Sequence, residues 1–470
     1  MTQNNFHNTS ELSRTNDYDF AMPDTSVHHT PPGISEDIVT HISQYKEEDT
    51  WMRDKRLHAY EIFHQKPLPT WGPDLSHINF DDITYFRRAT DTQKHSWDDL
   101  PPEIRETYDR IGVPEHEKDW LAGVSAQYDS EVVYESMTKE LEAQGVIFCD
   151  MDTAVAQHPD IVKKYFGTLI PPTDNTFAAL NSAVWSGGSF IYVPKNTHVK
   201  MPLQAYFRIN ADRFGQFERT LIIADEGASM HYIEGCTAPA YSTQSLHAAV
   251  VEIFALKDAK VRYSTIQNWS TNIYNLVTKR AKAEKNATVE WIDCNLGSGV
   301  TMKYPSVILA GEGARGDVIS MALANSNQIL DTGAKMIHIA SNTTSNIISK
   351  SISINGGISN YRGLIQVVNN AYNTKSYTQC DAMLLDNISE SNTYPTMDIK
   401  NDSSSISHEA SIENLDQDKL FYFMSRGLTE AQARSMMING FIEKITKEIP
   451  LEYSVELYRL INLEMERSIG

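Results

Sequence analysis

The sequence predicts a mainly β protein: a β-solenoid core set between an N-terminal, mostly helical region and a small C-terminal helical module. Three observations lead there. From about 177 to 415 the chain breaks into short segments rich in Val, Ile, Thr and Tyr, punctuated by Gly, Asn and Asp. Within that stretch a pattern of turn, small residue and alternating strand recurs. On either side, apolar residues fall at helical spacing instead.

The recurring pattern reads D-E-G-A-S-M-H-Y from Asp225, L-K-D-A-K-V-R-Y from Leu256, E-K-N-A-T-V-E-W from Glu284 and G-E-G-A-R-G-D-V from Gly311. Its alanines, Ala228, Ala259, Ala287 and Ala314, are spaced by roughly 30 residues, a solenoid period. D-T-G-A-K-M-I-H, with Ala334, reads as a fifth copy. A small residue suits a tight corner where successive coils stack. A β-sandwich is the alternative, but its turns come every ~8–12 residues. The longer period favours the solenoid.

Taken in order, residues 1–34 are polar and read as a disordered arm. The region 35–176 reads as mostly helical. Ser35 is an N-cap before Ile38, Ile42 and Tyr45; Met52, Leu57 and Tyr60 continue an apolar face until Pro67 stops it. Pro101 and Pro102 open a short helix. The spacing of Val133, Met137 and Leu141 predicts another over 130–144, and a third lies around 159–166. Cys149, in an apolar run, reads as core. In the core region 177–415, the segments 190–193, 203–209, 220–223, 248–254 and 288–292 read as strands. Gly311, Gly313 and Gly316 form a G-x-G-x-x-G, but no helix opens after them, so the motif reads as a turn and not a dinucleotide site. Residues 416–470 return to helix: 419–425 ended by Gly427, a helix capped by Thr429 with Ala433, Met436, Met437 and Phe441 on its apolar face, and a last one carrying Leu457, Leu460, Ile461 and Met465. Such a module caps the solenoid or docks a partner.

Composition excludes several classes. The 470 residues carry a net charge of −20. That argues against nucleic acid held by phosphate contacts and against an anionic membrane surface. Cys149, Cys236, Cys294 and Cys380 are widely spaced, as reduced thiols are, and form no disulfide framework. No secretory leader pattern opens the chain and no apolar run is long enough to span a bilayer, so a cytoplasmic protein is expected.

One stretch, 379–413, offers metal-ligand chemistry. Cys380 stands in Q-C-D-A-M-L-L, and His408 and Glu409 in S-I-S-H-E-A-S-I-E. Thiolate, imidazole and carboxylate are ligand types that iron and zinc accept. The spacing fits no compact zinc signature, so the chain must fold back to join them. Read blandly, Cys380 is a buried small hydrophobe and the His-Glu pair a solvated turn.

Longer motifs carry a resemblance. They are N-S-A-V-W-S-G-G-S-F-I-Y-V-P-K from Asn181, P-L-Q-A-Y-F-R-I-N from Pro202, F-E-R-T-L-I-I-A-D-E-G-A from Phe217, H-Y-I-E-G-C-T-A-P from His231, N-W-S-T-N-I-Y-N-L-V-T-K-R-A from Asn268 and G-A-K-M-I-H from Gly333. L-F-Y-F-M-S-R-G-L-T-E-A-Q-A and I-P-L-E-Y-S-V-E-L follow near the carboxyl end. With these the chain resembles the SufB/SufD family of the SUF iron–sulfur cluster assembly system, SufB-type scaffold subunits above all. The resemblance covers nearly everything after the arm.

That resemblance implies a right-handed parallel β-helix between the two helical regions. It implies a non-catalytic scaffold that accepts sulfur from a cysteine desulfurase and a sulfur relay protein, receives iron, builds a transient iron–sulfur cluster (4Fe–4S is expected) and passes it to apo-proteins. The C-terminal helices would bind a SufC-type ABC ATPase. The β-helix would pair with a SufD-type paralogue or a second SufB-type copy. Reduced flavin is a further implied cofactor. By the same resemblance Cys236 matches the sulfur acceptor, and Arg208, Asn210, Gln267, Trp269 and Lys285 match residues along the sulfur path. Cys380, His408 and Glu409 match the interface where the cluster forms. Ser407 departs from the pattern, which often has Glu there. Cys294 stands where a glycine is expected and reads as incidental. Arg208 and Lys285 are the cations expected to lower the pKa of Cys236. The alternative is a β-helix enzyme acting on carbohydrate. It needs two carboxylates flanking a groove, and no spacing singles out such a pair.

Overall fold

The structure is a computed structural model. It describes residues 26–88, 94, 96–111, 121–210, 213–238, 244–448, 454–455 and 457–462.

The mainly β expectation holds. Two parallel sheets face each other and the chain crosses between them in every coil. One sheet contains Leu203–Arg208, Ser229–Thr237, Lys260–Trp269, Thr288–Gly297, Arg315–Ala324, Thr344–Ser353, Lys375–Leu384 and Ser405–Asn414. The facing sheet contains Ser189–Val193, Arg219–Ala224, Val250–Ala255, Ile273–Ala283, the pair Val300–Lys303 and Ser306–Leu309, then Ile329–His338, Ile358–Val367 and Glu390–Ile399.

The repeat marks one corner of this solenoid. A left-handed residue turns the chain there: Asp258 (φ 60°), Asn286 (57°), Gly313 (74°) and Asn342 (58°). Asn, Asp and Gly tolerate that conformation, which explains the composition of the turns. Successive corners bond to one another, Asp258 N–H to Lys285 O at 2.8 Å and Asn286 N–H to Glu312 O at 2.9 Å. The small residue that follows, Ala259, Ala287, Ala314 or Thr343, is fully buried in each case. Only a small side chain suits such a buried corner. Gly313 sits at this corner and a strand follows, so the G-x-G-x-x-G is a turn. Ala334 is not a fifth corner. It lies inside Ile329–His338 of the facing sheet, and register puts Thr343 in the corner position, one residue before the Arg315–Thr344 pair. The residue identity of the repeat had drifted from Ala to Thr, so the composition misled.

Each sheet has a helical cover on its outer face. Phe63, Leu180 and Val184 pack with Leu246, Leu276 and Met302 of the second sheet. Ala433, Ile438, Ile442 and Leu457 pack with Ile292, Cys294, Met321 and Leu323 of the first. The helices form as their caps dictate. Ser35 Oγ accepts from Ile38 N–H at the start of Glu36–Tyr45, and Thr429 and Gln432 form a capping box at the start of Glu430–Thr446. In that last helix the buried face is Ala433, Ile438, Ile442 and Ile445, while Met436 points outward.

Three boundaries differ from expectation. The helix over 130–144 is instead the hairpin Gly123–Tyr128 and Glu131–Met137, with a short helix Lys139–Ala143 after it. The i, i+4 spacing of Val133, Met137 and Leu141 was coincidence; the β-branched and aromatic run E-V-V-Y decides the local structure. Gly123–Tyr128 pairs with Leu203–Arg208 and Ile147–Asp150 with Ser189–Val193, so the sheets begin before 177. Residue 177 itself lies in the helix Thr176–Val184. Finally, residues 26–34 run along 83–88, with Thr30 N–H bonded to Phe86 O at 3.0 Å. The rest of the expected arm, and Met465, lie outside the described residues. Among those described, no helix is long and apolar enough to cross a membrane.

Candidate functional site

Strand alternation decides which side chains enter the solenoid. Ser229–Thr237 turns Tyr232, Glu234 and Cys236 inward, where Tyr232 and Cys236 join the interior core. Register places Thr265 beside Glu234 and Gln267 beside Cys236, and then Asp293 beside Thr265. The facing wall adds Asn275, Lys279 and Lys303, with His247 and Glu218 at its start; all are buried.

These groups form one network. Cys236 Sγ lies 3.7 Å from Glu234 Oε1. Lys279 Nζ is 3.6 Å from the same oxygen and donates to Thr265 Oγ1 at 2.6 Å. Tyr263 Oη donates to the other Glu234 oxygen. Lys303 Nζ bridges Asp293 Oδ1 at 2.9 Å and Gln267 Oε1 at 2.8 Å. Asn275 also donates to Gln267 Oε1, at 2.9 Å, and its own Oδ1 is 2.7 Å from His247 Nδ1. His247 Nε2 closes the chain on Glu218 at 2.5 Å and lies tilted against Trp269, ring centroids 4.8 Å apart.

Buried charges demand such pairing, because desolvation otherwise neutralises them. Burial opposes ionisation of Asp293, yet Lys303 and Lys279 outweigh it and hold the carboxyl below its ordinary value. Burial pushes the Lys303 amine down, against the pull of Asp293. For Cys236 burial is the largest effect, and Glu234 and Glu218 add to it; the thiol is pushed well above its ordinary value, with Lys279 and Lys303 pulling the other way. Burial thus dominates the ionisation of Cys236, and two acids and two lysines modulate it.

The other expected path residues divide. Gln267 and Trp269 are inside, as described. Arg208 pairs in register with Thr237 and donates to its Oγ1 at 3.1 Å, on the face of the sheet opposite Cys236. Asn210 N–H donates to Asp129 Oδ1 at 2.7 Å, beyond the end of that strand. Lys285 is exposed at the solenoid corner, where its carbonyl receives Asp258 N–H. The cations that face Cys236 are Lys279 and Lys303, not Arg208 and Lys285. Sequence reasoning missed them, along with Glu234, Asp293, His247 and Glu218. A signal existed: in T-K-R-A-K-A, alternation puts Lys279 on the same face as Ala281 and Ala283, where a charge needs a reason.

Downstream, Cys380 is buried on the inner face of Lys375–Leu384. Burial pushes its thiol up to about 12, and the Tyr361 hydroxyl, reaching from the facing sheet, draws it back. His408 is on the inner face of the edge strand, two register positions before the Cys380–Ala410 pair, with Thr378 opposite it. Its Nε2 is buried without a hydrogen-bond partner and burial holds its pKa down. Glu409 points to the outer face and accepts from Tyr377 Oη at 3.3 Å. The strand is regular, so Cys380 and His408 share a face and Glu409 does not. Cys294 is on the outer face beneath the C-terminal helices, its thiol pushed up to about 12 by burial.

A single register line joins the two thiol regions. Glu234, Thr265, Asp293, Ser320, Ser349 and Cys380 are consecutive partners across the first sheet, all turned inward. Ser320 Oγ donates to Ser349 Oγ at 3.0 Å. At ~4.8 Å per strand the row covers about 24 Å.

Fold and site together define a parallel β-helix protein with thiols and their polar neighbours enclosed in its solenoid. Comparison with known proteins narrows this. Residues 207–441 match the family described as SUF system FeS cluster assembly, SufBD core domain, and residues 45–205 match the SufBD protein N-terminal region. An iron–sulfur cluster assembly SufBD family protein of Staphylococcus epidermidis is 55% identical over 453 residues, covering 96% of this chain and 97% of its own length. Relatives of the same description from Staphylococcus haemolyticus and Staphylococcus aureus match to the same extent. The chain belongs to the SufB/SufD family, and with it to iron–sulfur cluster assembly in the SUF system.

Proposed function

We propose that the chain is a SufB-type assembly scaffold that takes up sulfur at Cys236 and presents it for cluster assembly near Cys380. The observation that carries this reading is the register line of inward polar side chains from Glu234 to Cys380. In the uptake step the Cys236 thiolate attacks the outer sulfur of a donor persulfide. The donor S–S bond breaks, the donor leaves as a thiolate, and Cys236 becomes the persulfide. Lys279 and Lys303 favour the thiolate that this step needs. Advance of that sulfur as sulfide requires two electrons from an external reductant, a role that suits reduced flavin. The hydroxyls of Thr265, Ser320 and Ser349 then offer a polar species hydrogen bonds along the interior.

Cys380 is the ligand to the nascent cluster, which is cargo rather than a resident cofactor. Thiolate is the usual protein ligand for such clusters. His408 shares its face, and the remaining ligands come from a second β-helix subunit, a SufD-type paralogue or another copy. That partner meets the open end of the solenoid, where the edge strands Glu390–Ile399 and Ser405–Asn414 leave Met397, Ile399 and Ile412 exposed. The C-terminal helices receive the SufC-type ATPase, which performs the ATP hydrolysis; the scaffold itself catalyses none. Glu234 and Asp293 lie inside the solenoid and not astride a groove, which counts against the carbohydrate-active reading. Anaerobic addition of iron and sulfide to the assembled complex tests the proposal. Broad visible absorption that depends on Cys380 supports it, and a colourless complex contradicts it.

A further inference from the structure

A cavity of about 370 Å³ opens on the outer side of the second sheet, lined by residues 66–71, the start of the helix Thr176–Val184 and the strand Ile273–Ala283. Small-molecule sites span roughly 300–1,000 Å³. One wall is aromatic. Trp71 and Tyr304 have ring centroids 5.7 Å apart, and Trp71 is 49% exposed although it sits over this wall. Phe177, Leu276 and Met302 line the cavity as well.

Its charge is the unusual feature. Four cationic residues, Lys66, Lys279, Arg280 and Lys335, line it against one carboxylate, Asp174, though Lys279 sends its amine inward to Thr265 and Glu234. Arg280 and Asp174 satisfy each other at 2.7 Å. Lys335 has its amine 5.3 Å from the Tyr304 ring centroid, and no carboxylate pairs with it or with Lys66 among the described residues. Asp331, the next acid, is already taken by Tyr304 Oη at 2.7 Å and Arg362 Nε at 2.8 Å. Burial and the neighbouring Arg280 push the Lys335 amine down, against the weaker pull of Asp174, a cost that a bound anion would relieve. In a chain of net charge −20, two unmatched lysines at one aromatic-walled cavity reverse the local sign.

We infer that this cavity binds a small organic anion with a flat aromatic body, its ring against Trp71 and Tyr304 and its acidic group on Lys335 and Lys66. Cation and ring complement such a ligand in separate ways, one by charge and one by stacking. The inference is independent of the sulfur reading, because the strand Ile273–Ala283 separates the cavity from the interior thiol.

The test is a fluorescence titration of the full chain with 1-naphthyl phosphate and with 1-naphthoate. Inorganic phosphate and 1-naphthol serve as probes lacking the ring or the charge. Saturable binding of at least one naphthyl anion is expected, with each fragment binding more weakly. Lys335→Met should weaken it about 10-fold, the scale of one charged hydrogen bond, and Trp71→Ala should weaken it several-fold. Thermal melts matching the wild type keep lost binding apart from lost fold. Failure of both anions to saturate overturns the inference, as does binding that survives both substitutions unchanged.

Discussion

The Cys236 thiol lies 3.7 Å from the Glu234 carboxylate, on the same inward face of one strand. Two residues apart in sequence, they oppose each other electrostatically. Glu234 raises the thiol's pKa and Lys279 lowers it. Glu234→Gln keeps a partner for Tyr263 Oη but removes the charge. It should speed reaction of Cys236 with a small thiol reagent several-fold at fixed pH, whereas Lys279→Met should slow it. Peptide mass spectrometry reads both rates. The opposite order would show that other charges govern the thiol.

The C-terminal helices bury one face on the solenoid and leave another bare. Phe421, Tyr422 and Met436 are 74%, 53% and 54% exposed. Such a patch marks an interaction surface. Phe421→Asp combined with Met436→Lys should abolish capture of the SufC-type ATPase. The unfolding free energy should change by no more than about 0.5 kcal/mol, as for other surface substitutions. Retained capture would place the ATPase elsewhere and leave these helices as a cover for the sheet.

Within the assembled complex, Cys380→Ala should remove most cluster absorption after reconstitution with iron and sulfide. His408→Ala should lower cluster retention more than Glu409→Ala does, because His408 shares the inner face with Cys380 and Glu409 faces outward. A larger effect from Glu409 would mean that the edge strand is rearranged by the partner subunit.

His338 offers a pH test of the fold. It is buried against Thr343 Oγ1 at 2.8 Å and Ser345 Oγ at 3.0 Å, and burial lowers its pKa to about 4. The unfolded chain takes up this proton first as pH falls. Stability from this group is therefore complete above ~6.5 and lost as pH falls toward about 4, by up to about 3 kcal/mol. Denaturant melts across that window should show a shallower acid loss for His338→Asn. An identical slope would mean that His338 is solvated in the folded protein.

Much of this was legible in the sequence. Corner residues such as Asp258 and Asn286 declared themselves through their turn chemistry, and Ala259 and Ala287 through the lack of room beside them. Ala334 was misread because a short motif recurs by chance within a strand. Val133, Met137 and Leu141 were misread because four-residue spacing also occurs in a hairpin. At the site, family motifs pointed to Cys236 and Cys380. The lysines were harder, since Lys279 and Lys285 both sit in charged segments. Only the inward turn of the strand Ile273–Ala283 tells the buried Lys279 from the exposed Lys285. His408 and Glu409 look equivalent in sequence, and strand alternation separates them.

The central claim is that sulfur enters at Cys236. Its most direct test is to incubate the chain with a cysteine desulfurase, its relay protein and cysteine, block the products, and locate bound sulfane sulfur by peptide mass spectrometry. The account predicts one extra sulfur on the Cys236 peptide, lost in Cys236→Ser, while that variant still takes up a cluster from free sulfide. Undiminished sulfane sulfur on the Cys236→Ser chain, carried at Cys149, Cys294 or Cys380, would contradict it.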